Sequence, residues 1–343
     1  MRKDLLAKAA AGTRLSRDEA REVGRDLAGG RSEPLQCAAF LAALAARGET
    51  PEEVAGLAEA FRETATPMQA FPEAIDTCGT GGDGRHTFNL STAAAVTAAS
   101  LGARVAKHGN RSVSSSCGSA DLLEGAGVPI NGTPEDAEQR LEHLGFAFLF
   151  APRFHPAMAH VALVRKALGV RTVFNLLGPL LNPARVRRQV VGVYGPDRLP
   201  LMAEAVATLG AERAFVIHGS GGYDEAVLHG PVAVAEVNGD AITYYDLGPS
   251  DFGLPAGRPE DLAGGSPDHN VRMLLGLFSG AGPRALRSVV AANAALALKA
   301  AGLVDDLREG AGRAEEALGT GGVGTYFERL RSDGMEAGRA QVS

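Results

Sequence analysis

From residue 74 onward, short apolar segments alternate with longer segments of helical character. The apolar segments are AIDTCG, ARVAKHG, FAFLFAP, QVVGVYG and RAFVIHG, and segments such as STAAAVTAASLG, TPEDAEQRLEHLG and LPLMAEAVATLG separate them. This alternation predicts an α/β fold with a mostly parallel sheet, because each helix carries the chain back to the same end of the sheet. A later segment, VAVAEVNGDAITYYDL, has Asn238-Gly239 between apolar residues, which predicts an antiparallel hairpin at the sheet edge.

The first 70 residues show helical signals only. Ser16 to Glu19 (SRDE) and Thr50 to Glu53 (TPEE) both fit the capping box that begins a helix. Between them, LQCAAFLAALAARG is an apolar helical run that ends at Gly48. Two prolines between Thr66 and Pro72 predict a linker. We therefore predict a small all-helical N-terminal domain at 1–70, followed by a larger α/β domain.

Composition narrows the class of protein. The net charge of −6 argues against a protein that grips nucleic acid, since such proteins are usually basic. Three cysteines without a C-x-x-C pair argue against a disulfide framework or a zinc site. No apolar run reaches membrane-spanning length, and Lys8 interrupts the N-terminal apolar run, which makes it a poor signal peptide. We expect a cytoplasmic protein with reduced cysteines and with neither a nucleic-acid nor a membrane partner.

The stretch DTCGTGGDGRHTFNLST follows a predicted strand and precedes a predicted helix. Gly79, Gly81 and Gly84 match G-x-G-x-x-G, but the acid that a dinucleotide fold needs about 20 residues later is missing, and Arg104 and Lys107 lie there instead. The P-loop pattern G-x-x-x-x-G-K-[ST] is also absent. A phosphate site at the helix N-terminus is the favoured interpretation, and a simple helix cap is the alternative.

A second loop of this kind is KHGNRSVSSSCGSAD, which also lies between a strand and a helix. It offers Lys107, His108 and Arg111 as cations and several serine hydroxyls as donors. A serine-rich loop is ordinarily a solvated turn. Two such loops at the carboxyl ends of parallel strands, however, lie on one rim of the sheet, where ligands of α/β proteins bind. Together they predict a site for a ligand with two separated phosphate groups.

Asp224 and Glu225 follow the predicted strand RAFVIHG, within GSGGYDEAV. Adjacent carboxylates on a loop are usually surface charge. On the rim that bears two phosphate loops, they become candidate ligands for magnesium, a hard ion that takes carboxylate and phosphate oxygens.

Four segments in this order resemble the anthranilate phosphoribosyltransferase family: GTGGDGRHTFNLST, AKHGNRSVSSSCGSADLLEGAGV, HPAMAHVALVRKALGVRTVFNLLGPLLNP and YDE. The resemblance covers nearly the whole chain. It implies that anthranilate attacks the anomeric carbon of 5-phosphoribosyl 1-diphosphate and that diphosphate leaves, which is the second step of tryptophan biosynthesis from chorismate. Cys117 and Met158 depart from the residues expected at their positions.

The resemblance also implies an architecture and partners. The helical domain at 1–70 would be completed by a returning segment at about 163–185, and the α/β domain would comprise 71–162 and 186–343. The family implies a homodimer joined through the helical domains and an association with anthranilate synthase.

Ligand roles carried over from the family fall into three groups. Phosphoribosyl diphosphate would be bound by Gly79, Gly82, Asp83, Thr87, Asn89, Leu90, Ser91, Thr92, Lys107, His108, Gly109, Asn110, Arg111, Ser112, Val113, Ser114, Ser115 and Ser119. Anthranilate would contact Gly79, Asn110, Pro152, His155, Met158, Arg165 and Gly178. Magnesium, expected as two ions, would be held by Ser91, Asp224 and Glu225. No covalent catalyst is expected, and Lys107, Asn110 and Arg165 would act through position and charge.

Three other functions remain as alternatives. A pyrimidine nucleoside phosphorylase would bind one phosphate and would lack the KHGN segment and the Asp-Glu pair. A relative that has lost catalysis and binds nucleic acid would be basic and would have lost metal ligands. A nicotinamide oxidoreductase would need the missing ribose-binding acid.

Overall fold

The structure, a computed structural model, describes residues 1–112 and 116–340, with side chains described as far as residue 333. Within that part, the chain begins with helices α1 (Lys3–Ala10), α2 (Arg17–Ala28), α3 (Pro34–Arg47) and α4 (Pro51–Glu63). The predicted capping boxes at Ser16 and Thr50 are both confirmed. Glu53 of the second box has no exposed surface, and it accepts hydrogen bonds from the backbone N–H groups of Leu15 and Thr50 and pairs with Arg47.

The α/β region is built on a mostly parallel sheet in the order β3-β2-β1-β4-β5-β6-β7. Its strands are β1 (Ile75–Asp76), β2 (Val105–Gly109), β3 (Phe146–Phe150), β4 (Arg188–Gly192), β5 (Arg213–Gly219), β6 (Val232–Asn238) and β7 (Ala241–Leu247). The strands β1 to β5 pair in parallel, whereas β6 and β7 form the predicted antiparallel hairpin at one edge. Gly239 in the hairpin turn has a φ of 59°, a conformation that glycine adopts readily. The predicted fold class is therefore confirmed.

Helices cover both faces of the sheet. They are α5 (Leu90–Ser100), α6 (Ser119–Gly125), α7 (Pro134–His143), α8 (Ala151–Phe154), α9 (Ala159–Leu168), α10 (Phe174–Leu177), α11 (Arg198–Thr208), α12 (Pro267–Phe278), α13 (Arg284–Ala301), α14 (Leu307–Gly319) and α15 (Gly322–Ala340). The segment 254–269 includes a short 3₁₀ turn at Pro259–Leu262 and the start of α12. Among the described residues, no helix has the combined length and apolar character needed to cross a membrane.

The alternation of side chains along the strands produces two main cores. In β4, Val190 faces the core formed with α5 and α13, and its neighbour Val191 faces the core shared with α1 to α4. In β5, Phe215 and Val216 divide in the same way. Period-two alternation with both partners apolar is expected where helices cover both faces of a sheet. The helical region is therefore packed onto one face of the sheet.

The linker from Thr66 to Pro72 contains no helix or strand, yet hydrogen bonds hold it at both ends. The N–H of Thr66 donates to the carbonyl of Phe154 at 2.7 Å, and the N–H of Phe71 donates to the carbonyl of Ala184 at 2.8 Å. The Phe71 side chain is also buried. These contacts join the linker to the end of α8 and to the segment that follows α10.

Asp76 and Asn182 form a buried polar connection between that region and the sheet. Asn182 donates to Asp76 Oδ2 at 2.8 Å and to the carbonyl of Ala106 at 2.7 Å, and its Oδ1 accepts the N–H of Ala184 at 2.9 Å. Both residues are almost fully buried. Since buried polar groups are costly unless they are paired, this cluster fixes where residue 182 meets β1 and β2.

Replacing Asn182 with alanine should lower the free energy of unfolding by roughly 3 kcal/mol, because it leaves a buried carboxylate, a carbonyl and an N–H without partners. Urea unfolding at neutral pH measures this loss. Asn131→Ala, at an exposed asparagine, is the matched control and should change stability little. Similar stabilities of the two variants would contradict the role given to Asn182.

Candidate active site

The two predicted phosphate loops lie next to each other. The glycine loop, residues 77–89, joins β1 to α5, and the serine loop, residues 110–118, joins β2 to α6. Because β1 and β2 are parallel neighbours, both loops leave the same end of the sheet. Gly81, Gly82 and Gly84 have φ values of 61°, 75° and 72°, a region that other residues rarely adopt. The glycines therefore allow the tight path of the first loop.

The acidic pair after β5 contacts the glycine loop directly. Asp224 Oδ2 accepts the N–H of Gly81 at 2.9 Å. Glu225 accepts the N–H of Ser91 at 3.2 Å through Oε1 and the hydroxyl of Thr87 at 3.3 Å through Oε2. A cavity in this region is lined by Thr77, Gly79, Ser91, Ala94, Val190, Gly192, Ile217, Asp224, Glu225 and Asn293.

Close packing holds the backbone of the acidic pair against β4. A Cβ added to Gly192 would lie 1.5 Å from the carbonyl oxygen of Asp224. Only glycine fits at residue 192, because any side chain there would have to displace the backbone that presents the pair.

A third carboxylate, Asp83, adds to the negative charge. Burial, followed by the charge of Asp83, raises the pKa of Asp224 to about 7. Burial and then the charges of Asp224 and Asp83 raise the pKa of Glu225 well above its usual value. Asp83 Oδ2 is buried and has no hydrogen-bond partner among the described residues. An unsatisfied oxygen among mutually repelling carboxylates fits a hard divalent cation such as magnesium.

Lys107 lies on the other side of the glycine loop and is almost fully buried. Its Nζ donates to the hydroxyl of Thr77 at 3.0 Å and to the carbonyl of Thr77 at 3.3 Å. Burial raises the pKa of Asp76 to about 6, and the charge of Lys107 opposes that rise. Asp76 Oδ1 accepts the N–H groups of Cys78 and His108, so one carboxylate connects the starts of both loops.

The serine loop is organised by Asp121 of α6. Asp121 accepts the N–H groups of Ser112 and Gly118 and pairs with Arg111, which also pairs with Glu124. Arg111 is thus already paired with two carboxylates of α6. The predicted residues Val113, Ser114 and Ser115 lie outside the described residues.

The other predicted phosphoribosyl-diphosphate residues lie around these two loops. Asn89 bridges them, since its Nδ2 donates to the carbonyl of Cys117 at 2.9 Å. Ser119 donates to the carbonyl of Asn110 at 3.3 Å. Leu90 lies in the hydrophobic core, so only its backbone could face a ligand. The buried hydroxyl of Thr92 has no partner in the part of the chain that the structure describes. Gly82 lies in the first loop, and Gly109 ends β2.

His108 and His155 form a buried pair between β2 and the end of α8. Their rings meet edge to face with centroids 5.2 Å apart, and His108 Nδ1 lies 3.1 Å from the carbonyl oxygen of Gly178. Burial lowers the pKa of His108 to about 3 and that of His155 to about 4. His108 is therefore neutral at pH 7, and the prediction of a cation at this position is wrong. Since the carbonyl of Gly178 can only accept, Nδ1 carries the proton and Nε2 is left with a lone pair. No described residue bonds to Nε2.

Arg165 of α9 is half-buried, with its guanidinium 5.1 Å from the centroid of the Phe174 ring. Burial lowers its pKa. Met158 is also half-buried and packs against the core shared with the helical region, while Pro152 is exposed in α8.

The buried polar residues that sequence reasoning missed include Asp76, Asn182, Asn270 and Asn293. Asn270 of α12 donates to Asn89 Oδ1 at 3.1 Å and accepts the N–H of Gly265 at 2.8 Å. Asn293 interrupts the apolar run SVVAANAALAL. A single polar residue in an otherwise buried helix must find a partner, and that signal could have identified Asn293.

Comparisons with known proteins agree with this architecture. Residues 3–65 match the helical bundle domain of the glycosyl transferase family, and residues 71–323 match the a/b domain of that family. These matches cover most of the chain and define a glycosyl transferase.

Individual relatives narrow the class. The anthranilate phosphoribosyltransferase of Desulfosudis oleivorans is 48% identical over 319 residues, covering 92% of this chain and 94% of that protein. A crystal structure of the enzyme from Thermus thermophilus is 46% identical, with a TM-score of 0.92 over 97% of this chain and 99% of the other. The Saccharomyces cerevisiae enzyme in complex with PRPP and Mg is 27% identical, with a TM-score of 0.87 over 98% and 99%. The chain belongs to the anthranilate phosphoribosyltransferase family.

The buried histidines predict a pH dependence of stability. Because the folded protein holds His155 neutral down to a pKa of about 4, the unfolded chain binds its proton first as the pH falls below about 6.5. The contribution of His155 is therefore fully present above pH 6.5 and is lost as the pH falls toward 4. Between pH 7 and pH 5, the free energy of unfolding should fall by about 2 kcal/mol less in His155→Asn than in the wild type.

Urea unfolding at several pH values measures this difference. His143→Asn, at an exposed histidine, is the control and should follow the wild type. If the free energy of unfolding falls equally in the wild type and in His155→Asn, the imidazole of His155 is not held neutral.

Proposed function

We propose that this chain transfers the 5-phosphoribosyl group of 5-phosphoribosyl 1-diphosphate to the amino group of anthranilate. The new bond joins the amine nitrogen to the anomeric carbon, the bond from that carbon to diphosphate breaks, and an amine proton passes to solvent. The main support is the contact of a buried acidic pair with the glycine loop, in a chain 48% identical to a relative named for this activity.

The proposed diphosphate and ribose-phosphate site comprises the predicted residues of the two loops. Its support is the joint exit of both loops from neighbouring strands, and the free hydroxyl of Thr92 at the start of α5. Helix N-termini favour anions through their unpaired N–H groups and dipole. Buried Lys107 provides a fixed positive charge beneath the loops.

Asp224, Glu225 and Ser91 are the proposed magnesium ligands, and the carboxylate of Asp83 lies close enough to share the charge. Bound magnesium would neutralise charge on the departing diphosphate. Three carboxylates and a diphosphate together offer enough negative charge for two ions, which is the number we propose.

Arg165, His155, His108 and Gly178 support the proposed anthranilate site. Among the described residues, no carboxylate lies within ion-pair distance of Arg165, so its guanidinium can bind both oxygens of a ligand carboxylate. The lone pair of His108 Nε2 can accept a hydrogen bond from the aromatic amine. Since that amine is neutral at pH 7, its own lone pair is available for attack without a strong base, and positioning in line with the breaking bond is the main requirement.

The domain organisation is also a proposal. We propose that 1–70 and about 163–185 form one helical domain, supported by the packing of α9 on α2 and α3. Within the segment 163–185, Arg165 lies over the ring of Phe174. Arg171 of the same segment lies over the ring of Tyr194, which belongs to the α/β region. A cytoplasmic location and an association with anthranilate synthase remain predictions.

We further propose a homodimer joined through the helical domains. Leu35 of α3 and Leu163 of α9 are 84% and 80% exposed, the two most exposed large apolar side chains described, and they lie on helices that pack together. A second copy would remove both from water. Leu163→Asp should convert the dimer to a monomer in sedimentation experiments, and a wild-type mass of one chain would contradict the proposal.

Mixing the protein with anthranilate, phosphoribosyl diphosphate and magnesium should consume anthranilate fluorescence only when all three components are present. Asp224→Asn/Glu225→Gln should reduce kcat/KM at least about 100-fold, because the proposed ligands are removed. The same variant should be no less stable than the wild type, since buried repulsion is relieved. Asp246→Asn, which changes an exposed acid, is the control and should keep the wild-type kcat/KM. Folded wild-type protein that does not consume anthranilate would refute the function.

The same assay separates the two substrates. Arg165→Leu should raise the KM for anthranilate about 30- to 100-fold through the loss of charge-assisted hydrogen bonds, while the KM for phosphoribosyl diphosphate changes little. A rise confined to phosphoribosyl diphosphate would place Arg165 in the other substrate site.

A further inference from the structure

Asn293 holds the backbone of the residue that follows the acidic pair. Its Oδ1 accepts the N–H of Ala226 at 3.0 Å, and its Nδ2 donates to the carbonyl of the same residue at 2.9 Å. Nδ2 also donates to the carbonyl of Val289, one turn earlier in α13, at 2.9 Å. Asn293 is 5% exposed. One carboxamide thus satisfies both backbone groups of Ala226 and is itself tied to its own helix.

This clamp lies next to the carboxylates. Asn293 lines the same cavity as Asp224 and Glu225, and Ala226 follows Glu225 directly. The carboxylates are held from the opposite side by the N–H groups of Gly81 and Ser91. The acidic pair is therefore fixed between the glycine loop and α13, although its like charges favour separation.

The long helix α13 is suited to this role. It packs on α5, whose first turn contains Ser91, and its middle section is almost completely buried. A helix that packs on α5 and is hydrogen-bonded to Ala226 can set the distance between α5 and the residues next to Ala226. Functional groups are held more accurately by such helices than by loops alone.

We propose that Asn293 is a positioning residue for the magnesium ligands, which fixes the backbone at 224–226 so that both carboxylates face the ion. In this proposal Asn293 acts through the backbone of Ala226 and is not itself a metal ligand. The inference rests on the proposed function for the identity of the metal. Outer partners of this kind typically change metal affinity 10- to 100-fold when they are removed.

Direct binding of Mn²⁺, a spectroscopic substitute for Mg²⁺, tests the proposal without relying on activity. The full chain is titrated with Mn²⁺ in the presence of inorganic diphosphate, and free Mn²⁺ is followed by its paramagnetic resonance signal. Asn293→Leu, which keeps the side-chain size, and Asn293→Ala should each raise the dissociation constant about 10- to 100-fold. Ser288→Ala is the matched control, because Ser288 is buried in the same helix and bonds to Glu315 instead.

The outcomes separate the inference from the function. Wild-type Mn²⁺ affinity in either folded Asn293 variant would overturn the positioning role. Absence of Mn²⁺ binding by the wild type would overturn the metal site and this inference with it. If the Asn293 variants bind Mn²⁺ more weakly as expected but the wild type does not consume anthranilate, the positioning role is supported and only the proposed transfer is refuted.

If both Asn293 variants lack a cooperative unfolding transition, they are not folded and their Mn²⁺ affinities cannot be compared. A measurement on the wild type then tests the inference. Hydrogen exchange at the Ala226 amide should slow when Mn²⁺ and diphosphate bind, because a ligand that needs the clamped state stabilises it. The amide of Thr97, in the middle of α5, is the internal reference. Unchanged exchange at Ala226 under saturating metal would overturn the inference.

Discussion

The candidate site depends on the hydrogen bonds that the buried carboxylate of Asp76 accepts. This carboxylate accepts hydrogen bonds from the N–H groups of Cys78 and His108 and from the side chain of Asn182. The glycine loop and the serine loop therefore begin from one shared acceptor, and the chain returning from α10 is tied to it as well. An ionised carboxylate can accept several hydrogen bonds, so a single residue connects three segments that are far apart in sequence.

Opposite charges are separated across the site. Lys107 lies beneath the loops, whereas Asp83, Asp224 and Glu225 gather on the other side. Holding like charges together in a buried place lowers the stability of the fold, and a bound cation restores it. Local conflict of this kind is expected at functional sites, where the surrounding structure over-determines the arrangement. Backbone N–H groups and the clamp from α13 supply that constraint here.

Much of the fold and of the candidate site was predictable from local patterns. The alternation after residue 74 indicated the parallel sheet, and Asn238-Gly239 indicated the edge hairpin. The capping boxes at Ser16 and Thr50 needed only four residues each to be recognised. The glycine loop and the serine loop were identifiable because their glycines and hydroxyl residues lie at short spacings between a strand and a helix. Such signals depend on neighbours in the chain, which the sequence displays directly.

Tertiary structure alone decided which distant residues complete the site and which charges they have. His108 was expected to be a cation, but burial beside His155 makes it neutral, since removal from water disfavours the charged ring. Asn293 meets Ala226 across 67 positions of the chain, a contact that no local pattern contains. The sequence by itself determined the order of elements, their caps and the composition of the loops. Packing determined their neighbours, and therefore their solvation and protonation, because those depend on every segment that excludes water from the site.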